Sequence, residues 1–267
     1  MVYYGSVPAD RAAAELRTGY RGIRLMKRVS DAGELLLIFN ENPEAAEIRL
    51  HMDGEHVYLL DPGPGTITRA GSEVTLTLPC GALTGVYASA EAQPCEAPFE
   101  PTQSCTLSGP FTFRRVRQFR LGESDMEAFD LDEAPRAAAL GDWREAAGRD
   151  FSGTAVYETV FSRPAGVRDR FILDLGDVRH ACEVTLNGRA LGARIAPPFR
   201  YTLPASYLSE ENRLTIRVTN TSANEYRYTK VFDRWPSWMI AGYVKYETVF
   251  DEDSLESGLL GPVEIGW

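Results

Sequence analysis

The strongest constraint on this chain is a period-two alternation of apolar residues, repeatedly cut by turn-forming dipeptides. Across Glu47–Met52, the residues Ile48, Leu50 and Met52 share one parity, and across Glu73–Leu78 so do Val74, Leu76 and Leu78. Phe171, Leu173 and Leu175 repeat the pattern, as do Leu214, Ile216 and Val218. Successive side chains of an extended backbone point to opposite faces, so such runs are strands with one face in a core. Asp53-Gly54, Asp61-Pro62-Gly63 and Asn187-Gly188 supply turns. The last is the strongest hairpin signal, because a type I′ turn needs positive φ at both central residues and Asn-Gly tolerates it. Val184–Gly192 is therefore expected to form a hairpin. Helical signal is sparse: an Ala-rich segment at Asp10–Arg17 with Gly19 as its stop, and short turns near Asp142–Ala147 and Ala205–Glu211. The expectation is an all-β chain of sandwich type.

A length of 267 residues allows two domains, each with its own core. Ala90–Ser104 carries three prolines and three glutamates without periodicity and reads as a linker, set at 91–104. It separates a β-sandwich over 20–90 from a second over 105–267. Residues 1–19 read as a strand and helix without a partner, the remnant of an upstream domain.

The net charge of −10 argues against nucleic acid, whose binding draws on a basic face. The run Arg114-Arg115-Val116-Arg117 is read as the exposed side of a strand. No apolar run approaches the ~20 residues that cross a bilayer, so no membrane partner is expected. The N-terminus lacks a basic region followed by an apolar stretch, which favours the cytoplasm over export. Cys80, Cys95, Cys105 and Cys182 contain no C-x-x-C pair; Cys182 is expected in the core, and Cys95 and Cys105 flank a loop, bridged or reduced. His51, His56 and His180 are scattered, so neither zinc nor a cofactor is expected. Asp125–Glu133 and Asp251–Asp253 read as solvated loops, with a structural calcium ion as the alternative.

An ordered series of motifs covers the second half of the chain. It comprises Leu107-Ser108-Gly109-Pro110-Phe111, Phe151-Ser152-Gly153-Thr154 with Tyr157, Leu173–Val178, Val184–Gly188, Leu191-Gly192 and Pro197–Arg200. Asn212–Leu214, Val218–Thr221 and Ser257–Val263 complete it. The series resembles the sugar-binding, galactose-binding-like domain of family 2-type glycoside hydrolases, most of all the version at the C-terminal end of the large α-L-rhamnosidase-like enzymes of family 106. Arg28, Glu34–Asn40 and Tyr58–Pro62 before Gly65 resemble, more weakly, the β-sandwich preceding that module. The resemblance implies that the second domain is a galactose-binding-like jelly roll. It also implies that the catalytic carboxylates lie on an upstream (β/α)₈ barrel. No βαβα alternation occurs in this chain, nor does a nucleophile elbow, zincin helix or phosphate-binding glycine loop. The implied function is the non-catalytic, carbohydrate-associated C-terminal portion of a glycoside hydrolase, with carbohydrate and the upstream barrel as partners. A freestanding lectin-like module and a purely structural or adhesive sandwich are the rivals.

Most motif glycines and prolines have architectural work to do. Trp143, followed by Arg144, matches a family position where a tryptophan packs under the sandwich. The candidate sugar site is the stretch Tyr226–Tyr246, with Tyr226, Arg227, Asp233, Arg234, Trp235, Trp238 and Tyr243 as its residues. Sugar sites pair an aromatic platform for the C–H face with planar polar groups for the hydroxyls, and this stretch holds both. The competing reading has Trp235 and Trp238 plug the sandwich end or dock the barrel.

Overall fold

The alternating segments become antiparallel strands that close around two separate apolar cores. The computed structural model describes residues 22–62, 66–97, 99–122, 125–166, 168–229 and 255–267. The chain divides into two compact units, one up to Glu100 together with Ala196–Pro198, the other Pro101–Ile195 together with Phe199–Trp267.

The first unit contains β1 (Ile23–Ser30), β2 (Gly33–Asn40), β3 (Ala46–His51), β4 (His56–Asp61), β5 (Thr66–Ala70), β6 (Glu73–Leu78) and β7 (Leu83–Ser89). Five strands form a sheet in the order β1-β2-β7-β4-β5, and β3 pairs with β6 in a second sheet. The β3–β6 register sets Ile48 opposite Leu76 and Leu50 opposite Val74. These face Leu36, Ile38, Val57 and Val86 of the larger sheet in one core. Within that core Asn40 is fully buried, and its Nδ2 donates to the carbonyls of Leu78 (2.8 Å) and Glu44 (2.9 Å). A buried amide is tolerable only when satisfied in this way.

The second unit starts with β8 (Ser104–Thr106), β9 (Phe111–Leu121), β10 (Met126–Asp130), β11 (Arg136–Ala138), α1 (Arg144–Ala147) and β12 (Ser152–Ser162). It continues through β13 (Arg170–Asp174), β14 (Asp177–Arg179), β15 (Ala181–Leu186), β16 (Arg189–Arg194), β17 (Arg200–Pro204) and a 3₁₀ turn at Ala205–Tyr207. β18 (Glu211–Thr219), α2 (Ala223–Tyr228), β19 (Gly258–Gly261) and β20 (Glu264–Gly266) complete it. One sheet runs β10-β9-β12-β18-β15-β16 with β11 also on β9; another runs β17-β13-β20-β8; β14 pairs with β19. Val184, Ile216 and Tyr157 of the large sheet share a core with Phe171, Leu173 and Ile265 of the smaller one, the layering of a β-sandwich. The all-β sandwich expectation therefore holds.

Asn187 and Gly188 form the two-residue loop between β15 and β16, with φ of 52° and 79°. Trp143 lies in the core, edge-on to Phe113 (6.1 Å) and Phe151 (5.4 Å).

Several local readings need correction. Asp125–Glu133 is not simply a loop: it contains β10, whose five residues are all exposed. The basic run does not present every arginine to solvent. Val116 is bulged, so Thr154 pairs with Arg117 while Ala155 pairs with Arg115. Arg115 keeps the parity of the buried Phe111 and Phe113, and the bulge returns Arg117 to the exposed face. Arg115 Nε donates to Glu133 (2.8 Å) and its guanidinium lies 5.3 Å from the Phe151 ring centre. The Arg115 hydrogen bond holds the Glu133 carboxyl below the usual range. The motif Ser257–Val263 runs through β19 up to the start of β20, and Pro262 separates the two strands, because proline has no N–H for a ladder. In the proline-rich stretch, Gln93 N donates to the Tyr58 hydroxyl (2.7 Å) and Glu96 bridges to Thr68 within the first unit, and Ser104 opens β8 of the second. All four cysteines are free thiols, with Cys95 and Cys105 exposed and Cys182 buried. Asp10–Arg17 and Asp251–Asp253 lie outside the described residues.

Candidate functional site

β18 is a core strand through Val218, and the chain that leaves it is fixed by a buried polar network. Asn220 Nδ2 donates to the Phe151 carbonyl and to Ser257 Oγ, each at 3.0 Å. Asn224 Nδ2, at the start of α2, donates to the carbonyls of Leu255 (3.0 Å) and Arg149 (3.3 Å). Glu225 donates its backbone N–H to Ser152 Oγ (3.0 Å), and its Oε1 accepts the Leu121 N–H at 3.4 Å. Asn220, Asn224, Glu225 and Ser257 are all buried. Buried polar groups paired this way specify one arrangement, because each broken bond leaves a desolvated partner. A helix of only six residues is thus held by its neighbours and not by its own propensity.

Tyr226, Arg227 and Tyr228 occupy the last turn of α2 and are half-buried. Tyr228 is the centre of a guanidinium cluster. The Arg149 guanidinium carbon lies 5.9 Å from its ring centre and that of Arg227 lies 6.0 Å away, both within cation–π range. Arg144 donates a hydrogen bond to the Tyr228 side chain. Arg144 is itself committed to Asp142, with Nε to Oδ2 at 2.5 Å and the backbone N–H to Oδ1 at 3.1 Å. The hydrogen bond from Asn224 to the Arg149 carbonyl ties the backbone beneath Arg149 to α2 itself. An aromatic face bordered by planar donors is the combination that binds a sugar ring with polar substituents.

Of the residues expected from the sequence, Tyr226 and Arg227 stand together on α2. Asp233, Arg234, Trp235, Trp238 and Tyr243 lie outside the described residues. Sequence reasoning treated the start of this stretch as irregular and missed the helix. It also missed Arg149 and Tyr228 as a pair, because they lie far apart in sequence and the Arg149 backbone is tied to α2 by a hydrogen bond from Asn224, 75 residues along the chain. Among the described residues no three His, Cys, Asp or Glu side chains converge as metal ligands.

A separate groove of about 730 Å³ is lined by Leu107, Phe111, Ala138, Leu140 and Pro262, with Thr106 and Ser108 its polar residues. It contains no carboxylate and none of the expected site residues.

No protein-family model matches the chain. A Formosa agariphila protein named "Putative beta-glucuronidase" is 31% identical over 139 residues, which is 43% of this chain and 12% of that protein. In fold, 94% of the chain matches 24% of the rhamnosidase of Novosphingobium sp. PP1Y, with a TM-score of 0.57 and 21% identity. The matched parts span about an eighth of the curated relative's length and about a quarter of the solved enzyme's. The proteins it resembles are named as glycoside hydrolases.

Proposed function

We propose that this chain is the non-catalytic, carbohydrate-associated portion of a glycoside hydrolase, of the α-L-rhamnosidase-like family 106 type. In this reading the second unit is a galactose-binding-like jelly roll. Both units buttress a catalytic barrel in the same polypeptide, and the α2 region contributes to a carbohydrate site. One observation carries it: 94% of the chain follows the fold of about a quarter of a rhamnosidase. The local identity to the Formosa agariphila protein supports the same class.

The test uses the chain as it stands. Aryl α-L-rhamnosides and aryl β-glucuronides should be left intact, whereas calorimetric titration with plant oligosaccharides should give saturable binding. That binding should be lost in the Trp235→Ala/Trp238→Ala double variant. Turnover of any aryl glycoside would overturn the non-catalytic assignment. Absence of binding across a panel of neutral and acidic oligosaccharides would remove the carbohydrate role.

A further inference from the structure

Resting on the carbohydrate-associated reading, we infer that α2 presents a subsite for an anionic sugar, with Tyr228 as its platform and Arg149 and Arg227 as its clamp. Three guanidinium groups surround one phenol ring, and only one of them is neutralised. Arg144 is paired with Asp142. Arg149 and Arg227 have no carboxylate partner among the described residues, although the chain holds 38 acidic residues against 28 basic ones. Two guanidinium groups without an ion pair among the described residues thus border one ring, in a protein whose overall charge is negative. Their mutual repulsion is relieved by an anion placed between or beside them.

A second observation points the same way. The Nε of Arg227 is shut off from solvent and has no hydrogen-bond acceptor. A buried donor without an acceptor is rare in folded proteins, and an acceptor supplied by a ligand resolves it. The guanidinium fork matches the planar oxygens of a carboxylate or the oxygens of a sulfate ester, and the half-buried Tyr228 ring offers a face for the sugar C–H groups. The shared chemistry is therefore a sugar ring bearing a carboxylate or a sulfate. Pre-organisation is built in: Arg144 fixes the Tyr228 hydroxyl end, and Asn224 fixes the backbone carrying Arg149.

The experiment is calorimetric titration of the full chain with four sugars and two simple anions. Tri-galacturonate is compared with its fully methyl-esterified form, which keeps the ring and removes the charge. A κ-carrageenan tetrasaccharide is compared with the unsulfated agarose tetrasaccharide. Sodium acetate and sodium sulfate at matched ionic strength are the simple anions. At least one charged sugar should bind about tenfold more tightly than its neutral counterpart, with Arg149→Ala and Arg227→Ala each weakening it about tenfold, the loss of one charge-assisted hydrogen bond. Whichever of the two charged sugars binds more tightly assigns the anion as carboxylate or sulfate. Arg149 is exposed, so Arg149→Ala should unfold at the same temperature as the parent. Equal binding of charged and neutral sugars, or charged-sugar binding unchanged in both variants, overturns the clamp and leaves the carbohydrate role standing. Equal binding of acetate or sulfate overturns the sugar platform. Failure of every sugar overturns the carbohydrate role together with this subsite.

Discussion

Gly153 and Asn220 hold each other through both of their backbone amides. The Gly153 N–H donates to Asn220 Oδ1 at 2.8 Å, and the Asn220 N–H donates to the Gly153 carbonyl at 3.1 Å. A β-carbon on Gly153 would lie 2.0 Å from the Arg117 carbonyl oxygen, so only glycine lets β12 approach β9 this closely. The pair locks the end of β18 to the start of β12, and α2 is launched from that junction.

Asn220→Ala should therefore be among the most damaging polar substitutions in the second unit. It removes the acceptor of Gly153 and the donor of Phe151 and Ser257, all inside the protein. The expected loss is about 3 kcal/mol, from roughly 1 kcal/mol per bond plus the desolvation of orphaned partners. Urea unfolding measures it. A loss below about 1 kcal/mol, within the range of an ordinary surface substitution, would mean that the network does not anchor the segment.

Asn187 is more than a turn residue. Its Nδ2 donates to the Tyr207 carbonyl (3.0 Å) and to Asn212 Oδ1 (2.9 Å), while its Oδ1 accepts the Arg213 N–H at 2.9 Å. Asn187→Gly keeps the positive φ and loses these three bonds, so it should cost about 1–3 kcal/mol at thermal or urea unfolding. Gly188→Ala meets no atom within 4 Å, and it isolates the backbone penalty at φ 79°, about 1 kcal/mol. If Asn187→Gly proves neutral while Gly188→Ala is costly, the position is conformational alone.

The fold was legible because its signal is local. Ile48, Leu50 and Met52 share a parity and are all buried, and so are Leu214, Ile216 and Val218. Period two follows from backbone geometry and needs no knowledge of partners. The bulge at Val116 escaped because its cause is the register against β12, which lies far along the chain. The candidate site was legible only as a neighbourhood. Asn220, Asn224 and Ser257 are polar residues near chain turns, and such residues look alike in sequence whether solvated or buried. Their burial is decided by Phe151, Arg149 and Leu255, segments that only the finished sandwich brings together.

Tyr157 offers a test of the core that does not depend on stability alone. Its ring packs edge-on to Phe113 at 5.2 Å, and its hydroxyl accepts the Leu259 N–H at 3.3 Å. Burial pushes the phenol up to about 12 despite that hydrogen bond. Tyr157→Phe keeps the packing and orphans the Leu259 amide, with an expected cost of about 1–2 kcal/mol. In alkaline difference spectra of the folded chain, the variant should lose a tyrosine transition from the highest-pH end of the curve. Loss of a transition near the ordinary value of about 10 would contradict this burial.

Two histidines should titrate in opposite directions from one another. His51 lies between two carboxylates, with Nδ1 at 2.7 Å from Glu73 and Nε2 at 3.2 Å from Asp53. The Glu73 hydrogen bond raises its pKa above the ordinary value, against a smaller opposing effect of desolvation, and Asp53 adds to the rise. His180 is shifted down, first by burial and then by the neighbouring Arg179. For His51 the folded chain holds its proton to higher pH than the unfolded chain does. Its stabilisation is complete below the unfolded value near 6.5 and disappears as the pH rises through the folded value. For His180 the unfolded chain takes up the proton first. Its contribution is complete above about 6.5 and is lost as the pH falls through the folded value. Imidazole carbon resonances followed by NMR from about pH 5 to pH 9 bracket the unperturbed value and read both shifts. Glu73→Gln should move the His51 midpoint down and leave His180 in place. A His51 midpoint at or below that of His180 would show that the carboxylate cradle does not form in solution.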